Sequence, residues 1–65
     1  MLDQYRKQNA ERALQILEQG PIHRDDLTRQ LQTSIIETGH ALNLLSKVYP
    51  VRVKGEIIFI KEEKR

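Results

Sequence analysis

Gly20-Pro21-Ile22-His23-Arg24-Asp25-Asp26-Leu27 is the stretch on which the architecture turns. A glycine can take the left-handed position after a final helical turn, and a proline just beyond it cannot continue the helix. The stretch therefore closes one helix and opens another. Upstream, Leu2, Tyr5, Ala10, Ala13, Leu14 and Leu17 recur at three- and four-residue spacing, with Ile16 broadening the stripe. That pattern predicts an amphipathic helix from Asp3 to Gln19. Downstream, Asp25 and Asp26 fall in the first turn of a short second helix, Arg24 to Leu31, where carboxylates meet unpaired amides. His23 is its expected cap, and Ile22, Leu27 and Leu31 are its inward contacts. A helix of about two turns depends on packing for its stability.

Gln32-Thr33 reads as a tight turn, and Ser34-Ile35-Ile36-Glu37 matches the reciprocal capping box, in which Ser and Glu satisfy each other's amides. The third helix is predicted from Ile35 to Lys47, with Ile35, Thr38, Leu42 and Leu45 inward and Ala41, Leu44 and Val48 beside them. Gly39 weakens this helix by about 1 kcal/mol relative to alanine. Its expected use is a close approach between helices, with close approach to a phosphate backbone as the alternative. Pro50 ends the helical region.

Val51-Arg52-Val53, Lys54-Gly55 and Glu56-Ile57-Ile58-Phe59-Ile60 then read as strand, two-residue turn and strand. This register sets Val53 opposite Glu56, Val51 opposite Ile58 and Tyr49 opposite Ile60, with Arg52 opposite Ile57 and Pro50 opposite Phe59. Val51, Ile58 and Ile60 are expected to close the core. Ile57 and Phe59 remain partly exposed, as candidates for a protein interface. Residues 61–65 form a charged tail beyond a single domain over residues 1–60.

Sixty-five residues without cysteine exclude a disulfide framework and a cysteine-type zinc site, and fit a cytoplasmic setting. No window reaches the roughly 18 apolar residues of a membrane span, and Met1-Leu2-Asp3-Gln4 lacks the pattern of a secretory signal. Acidic and basic residues balance over residues 1–32, so the net charge of +2 belongs to the C-terminal half. That asymmetry is compatible with a polyanionic partner. There is no glycine-rich phosphate loop, HExxH or calcium-loop spacing, and so short a chain leaves little volume for a catalytic pocket. The expectation is a binding protein without enzyme activity, cofactor or metal.

The run from Gly20 to Leu27, followed by Leu31, Ser34, Leu42, Leu45 and the hairpin from Val51 to Ile60, resembles the winged helix–turn–helix family of small transcriptional regulators. The resemblance covers about residues 5–60. It implies an α+β fold, a minimal winged helix of three helices followed by a two-stranded hairpin wing. It also implies double-stranded DNA as the partner, with the third helix in the major groove and the wing on backbone or minor groove.

Carried onto this chain, the implied reading surface is Thr33, Ser34, Glu37, Thr38, His40, Asn43 and Lys47. Asparagine can pair with adenine through two hydrogen bonds, and hydroxyl or imidazole groups can donate to base edges or phosphates. Arg52 and Lys54 flank the wing turn, where Gly55 would permit close approach to a groove. Arg6, Lys7, Arg12, Arg24 and Arg29 could add phosphate contacts. So small a module is expected to bind as a dimer or repeatedly along DNA, with the first helix and the Ile57/Phe59 face as candidate dimer surfaces. The alternative is a protein-interaction module of the same fold, using the apolar outer face of the wing.

Overall fold

The computed structural model describes residues 2–61, excepting the side chain of Leu2. The expected inward position of Leu2 and the charged tail beyond Lys61 therefore lie outside the described residues. In chain order the elements are α1 (Leu2–Leu17), β1 (Ile22–His23), α2 (Arg24–Leu31), α3 (Ile35–Ser46), β2 (Val51–Lys54) and β3 (Ile57–Ile60). Three helices precede an antiparallel hairpin, which is the minimal winged-helix architecture. No helix among the described residues is long and apolar enough to cross a membrane.

The stop after α1 works as its residue types require. Gln19 and Gly20 donate amides to the carbonyls of Ile16 and Leu17, tightening the last turn, and Gly20 adopts φ +135°. The chain leaves extended into β1, and α2 begins at once. His23 caps it: Nδ1 accepts the Asp25 amide at 3.1 Å. At the other end Gln32 takes the left-handed conformation, φ 55°, and the Thr33 amide returns to the Thr28 carbonyl at 3.3 Å. This turn brings α3 against α1 and α2.

Ala13 and Leu17 of α1, Leu27 and Leu31 of α2, Leu45 of α3 and Ile58 of β3 form the core, with Leu14, Ile16, Ile22, Leu42, Val51 and Ile60 packed around it. Ala10 and Ala41 are also buried. Asn9 is buried on α1, and its Nδ2 has no hydrogen-bond partner among the described residues.

The expected inward row of α3 is only partly inward. Thr38, Ala41 and Leu45 are buried and Leu42 is half-buried, whereas Ile35, Leu44 and Val48 are exposed. Ile35 sits at the first turn, and Val48 lies beyond the helix end, off the face its spacing assigned to it. Leu44 stands on the edge of that face, where α1 and α3 diverge into a groove. Gly39 also departs from expectation: a Cβ built there would meet nothing within 4 Å, so no neighbouring helix requires a glycine.

The wing carries a third strand that the sequence reading did not anticipate. β3 lies between β1 and β2, pairing Ile22 with Ile58 and His23 with Ile57 on one side. On the other side Val51 pairs with Ile60, Arg52 with Phe59, Val53 with Ile58 and Lys54 with Ile57. The hairpin is thus displaced by two residues from the expected register, and its turn is Gly55-Glu56 rather than Lys54-Gly55. A two-residue hairpin turn needs positive φ at its first central position, and Gly55 supplies it at +65°. The expected turn would have imposed that conformation on Lys54. An even displacement leaves every side chain on its original face, so Ile58 and Ile60 still point to the core.

Candidate nucleic-acid interface

Helical spacing gathers Ile36, Gly39, His40, Asn43 and Lys47 into one row along α3, and all five are exposed. His40, Asn43 and Lys47 were anticipated there. Ile36 was not: at 68 % exposure it stands one turn before His40, a spacing the sequence contains. Thr38, in contrast, does not belong to the outer surface. It is 1 % exposed, and its hydroxyl donates to the Ser34 carbonyl at 3.0 Å, because position 38 falls on the inward side of the helix.

At the N-terminus of α3 the Ser34 hydroxyl accepts the Glu37 amide at 3.2 Å, satisfying one of the first free donors. The reciprocal half of the expected capping box is absent. The Glu37 carboxylate turns instead to α1, where Arg6 donates Nε to Oε1 at 3.1 Å and Nη2 to Oε2 at 3.4 Å. A two-pronged guanidinium contact is stronger and more directional than the return bond to a serine amide. Tyr5 adds a hydroxyl contact to Thr33, so α1 fixes the entry to α3 at two points.

The hydrogen bond from Arg6 holds the Glu37 carboxyl below the usual glutamate range, with burial opposing it and the Arg6 charge reinforcing it. A lowered carboxyl value stabilises the fold above the usual glutamate range, and the contribution is lost as pH falls through the lowered value. Glu37→Gln is therefore expected to melt below wild type at neutral pH, with the gap closing on acidification. Thermal melts across the acidic range check this. A gap that persists in strong acid would show that the charge on Glu37 is irrelevant.

The cations outside α3 divide by their contacts. Arg12 donates to the carbonyls of Gln30 and Leu31 at 2.9 and 3.4 Å, closing the C-terminal end of α2. Arg29 lies 3.3 Å from Asp26. With Arg6 on Glu37, three of the anticipated phosphate contacts are engaged within the fold. Lys7 and Arg24 have no ion pair among the described residues.

The wing residues form a second group. Arg52 and Lys54 alternate on one face of β2, opposite Phe59 and Ile57. Ile57 is 39 % exposed and Phe59 is half-buried beside Gly20 and Pro21. The turn at Gly55-Glu56 is held against α2: the Arg24 amide donates to the Glu56 carbonyl at 2.8 Å, and a Glu56 carboxylate oxygen lies 3.0 Å from His23 Nε2. His23, Asp25 and Glu56 bring potential metal ligands within 4.8 Å of one another. Within the trio, Nδ1 of His23 accepts the Asp25 amide, and the contact of Nε2 with Glu56 ties the wing turn to the start of α2.

A groove of about 590 Å³ runs between α1 and α3, with Leu14, Leu44, Val48 and Tyr49 among its lining residues and Asp3, Lys7 and Glu11 along its α1 side. Reading Leu44 and Val48 as inward concealed it. No protein-family model, curated protein or solved structure matches this chain.

Proposed function

We propose that this chain binds double-stranded DNA through the outer row of α3, as a regulator or accessory factor of transcription acting in the cytoplasm without catalysis. The observation that carries the reading is Gly39. It sits mid-row with open space before it, in a helix that it weakens by about 1 kcal/mol. No contact among the described residues uses the missing side chain, whereas close approach of an external backbone would use it. Around Gly39, Asn43 can read adenine, Ile36 can meet a thymine methyl group, and Lys47 can neutralise a phosphate. Arg6 offsets the one acidic residue at the start of this surface, Glu37. Arg52 and Lys54 supply further backbone contacts from the wing.

Gly39→Ala separates the fold from the function. The variant is expected to melt higher, by about 0.5–1 kcal/mol of stability, because alanine favours the helix. It is also expected to bind duplex DNA several-fold more weakly, because a methyl group then stands in the contact. Unchanged affinity in the stabilised variant would remove the argument from close approach.

A protein-interaction reading has its own support in the apolar exposure at Ile57 and along the α1–α3 groove. It requires those side chains to become buried in a complex, which side-chain NMR of the free and bound chain would register.

A further inference from the structure

We infer that His23 is a proton-operated cap, holding the start of α2 closed as a neutral imidazole and releasing it when the ring takes a second proton. His23 lies outside the proposed DNA surface, so this device does not depend on the DNA-binding reading.

A neutral imidazole carries one N–H and one acceptor nitrogen, and the partners decide which is which. Nδ1 lies 3.1 Å from the Asp25 amide, a donor whose proton the backbone fixes, so Nδ1 is the acceptor. The ring proton therefore sits on Nε2, which lies 3.0 Å from a Glu56 carboxylate oxygen and donates to it. Both contacts demand the same tautomer. The other one sets donor against donor at Asp25 and lone pair against carboxylate at Glu56.

A second proton has only Nδ1 to occupy. It leaves the Nε2–H bond to Glu56 in place and makes it charge-assisted on both sides. At Nδ1 it puts an N–H against the Asp25 amide, at the positive end of α2, and the capping bond is lost. An acceptor for the new N–H stands close by, since Oδ2 of Asp25 is 3.9 Å from Nδ1. The ring thus exchanges the Asp25 amide for the Asp25 carboxylate, and α2 is uncapped. The Arg24 amide, bonded to the Glu56 carbonyl at 2.8 Å, takes no part in the exchange and keeps the wing turn attached.

The surrounding charges favour uptake of that proton. Arg24 and Asp26 flank Asp25 in α2, and Lys54 follows across Ile57 in the same row of the sheet as His23. Asp26 is paired with Arg29, whereas Arg24 and Lys54 make no ion pair with Asp25 or Glu56. Among the described residues, the two carboxylates that face the ring are answered by His23 alone. The ring is 38 % exposed, so solvent supplies the proton.

Long-range nitrogen–proton NMR of the full chain without DNA, from about pH 8 to about pH 5, tests the inference over the range in which histidines commonly change charge. At the upper end His23 is expected to show a bare Nδ1 and a protonated Nε2, with exposed His40 as the unrestrained reference. As pH falls, the Asp25 amide proton should move upfield, as for a lost hydrogen bond, with the same midpoint as the His23 ring. In His23→Asn, whose side chain keeps a cap acceptor and does not titrate, that amide should hold its position. The tautomer and the midpoint are read on the wild-type chain, so the test stands even if His23→Asn fails to fold. A proton on Nδ1 at the upper end, or an Asp25 amide that ignores the titration of the ring, overturns the inference. An Asp25 amide that moves equally in His23→Asn overturns it as well.

Discussion

Leu27→Ala is expected to cost about 3 kcal/mol, within the range for leucine truncation in a packed core. Leu27 is fully buried, and the surrounding cluster draws side chains from all three helices and the wing. No single element can relax to refill the space without disturbing the others. For a domain of this size each kcal/mol moves the melting midpoint by roughly 4–8 °C, so the expected fall is roughly 12–24 °C. Total stability at this length is on the order of 3–10 kcal/mol, and much of it goes with one side chain. Ile36→Ala, on the exposed row of α3, is the control and should change stability by no more than about 0.5 kcal/mol. Calorimetric melts of the two variants check the pair. Equal midpoints would mean that Leu27 is not at the centre of the core.

The readable features of this chain were those whose causes are local. Gly20-Pro21 marked the end of α1, and α2 runs from Arg24 to Leu31 as its spacing and capping signals indicated. His23 and Ser34 cap the helices they precede. What the sequence concealed depends on partners distant in the chain. β1 has two residues, too few to show a periodicity, and exists because β3 offers it a free edge. Glu37 has the spacing of a capping box, but its carboxylate is claimed by Arg6, 31 positions earlier. The hairpin register follows from which residue accepts positive φ, and placing Gly55 second in the turn was enough to miss it.

The candidate surface shows the same division. The outward row through His40, Asn43 and Lys47 follows from helical spacing, and the same spacing already set Thr38 in the inward row, against the place on the reading surface that the resemblance gave it. The exposure of Val48 was hidden because its spacing matched a helix that ends at Ser46. Surroundings of a glycine are never written in the sequence. Gly39 could be assigned either to helix packing or to an external backbone, and the open space around it removes the first assignment.

Asn43→Ala is expected to relax sequence preference at a single base pair by about 1–3 kcal/mol, the worth of a paired amide–adenine contact. That is roughly a 5- to 150-fold loss of discrimination, with weaker effects on non-specific binding. Lys47→Ala should act differently. Loss of one phosphate contact lowers affinity across all sequences and reduces the slope of affinity against salt by about 0.9. Both residues are exposed, so neither substitution should disturb the fold. Binding to a panel of duplexes at several salt concentrations distinguishes the roles. Identical behaviour of the two variants would leave Asn43 without a reading role.

The most direct measurement is an NMR titration of the folded chain with duplex DNA at low salt. Binding that weakens as salt rises is expected, with the largest backbone amide shifts at Gly39, His40, Asn43 and Lys47 and smaller ones at Arg52 and Lys54. A folded chain whose spectrum does not change with DNA at low salt would contradict the proposed function outright.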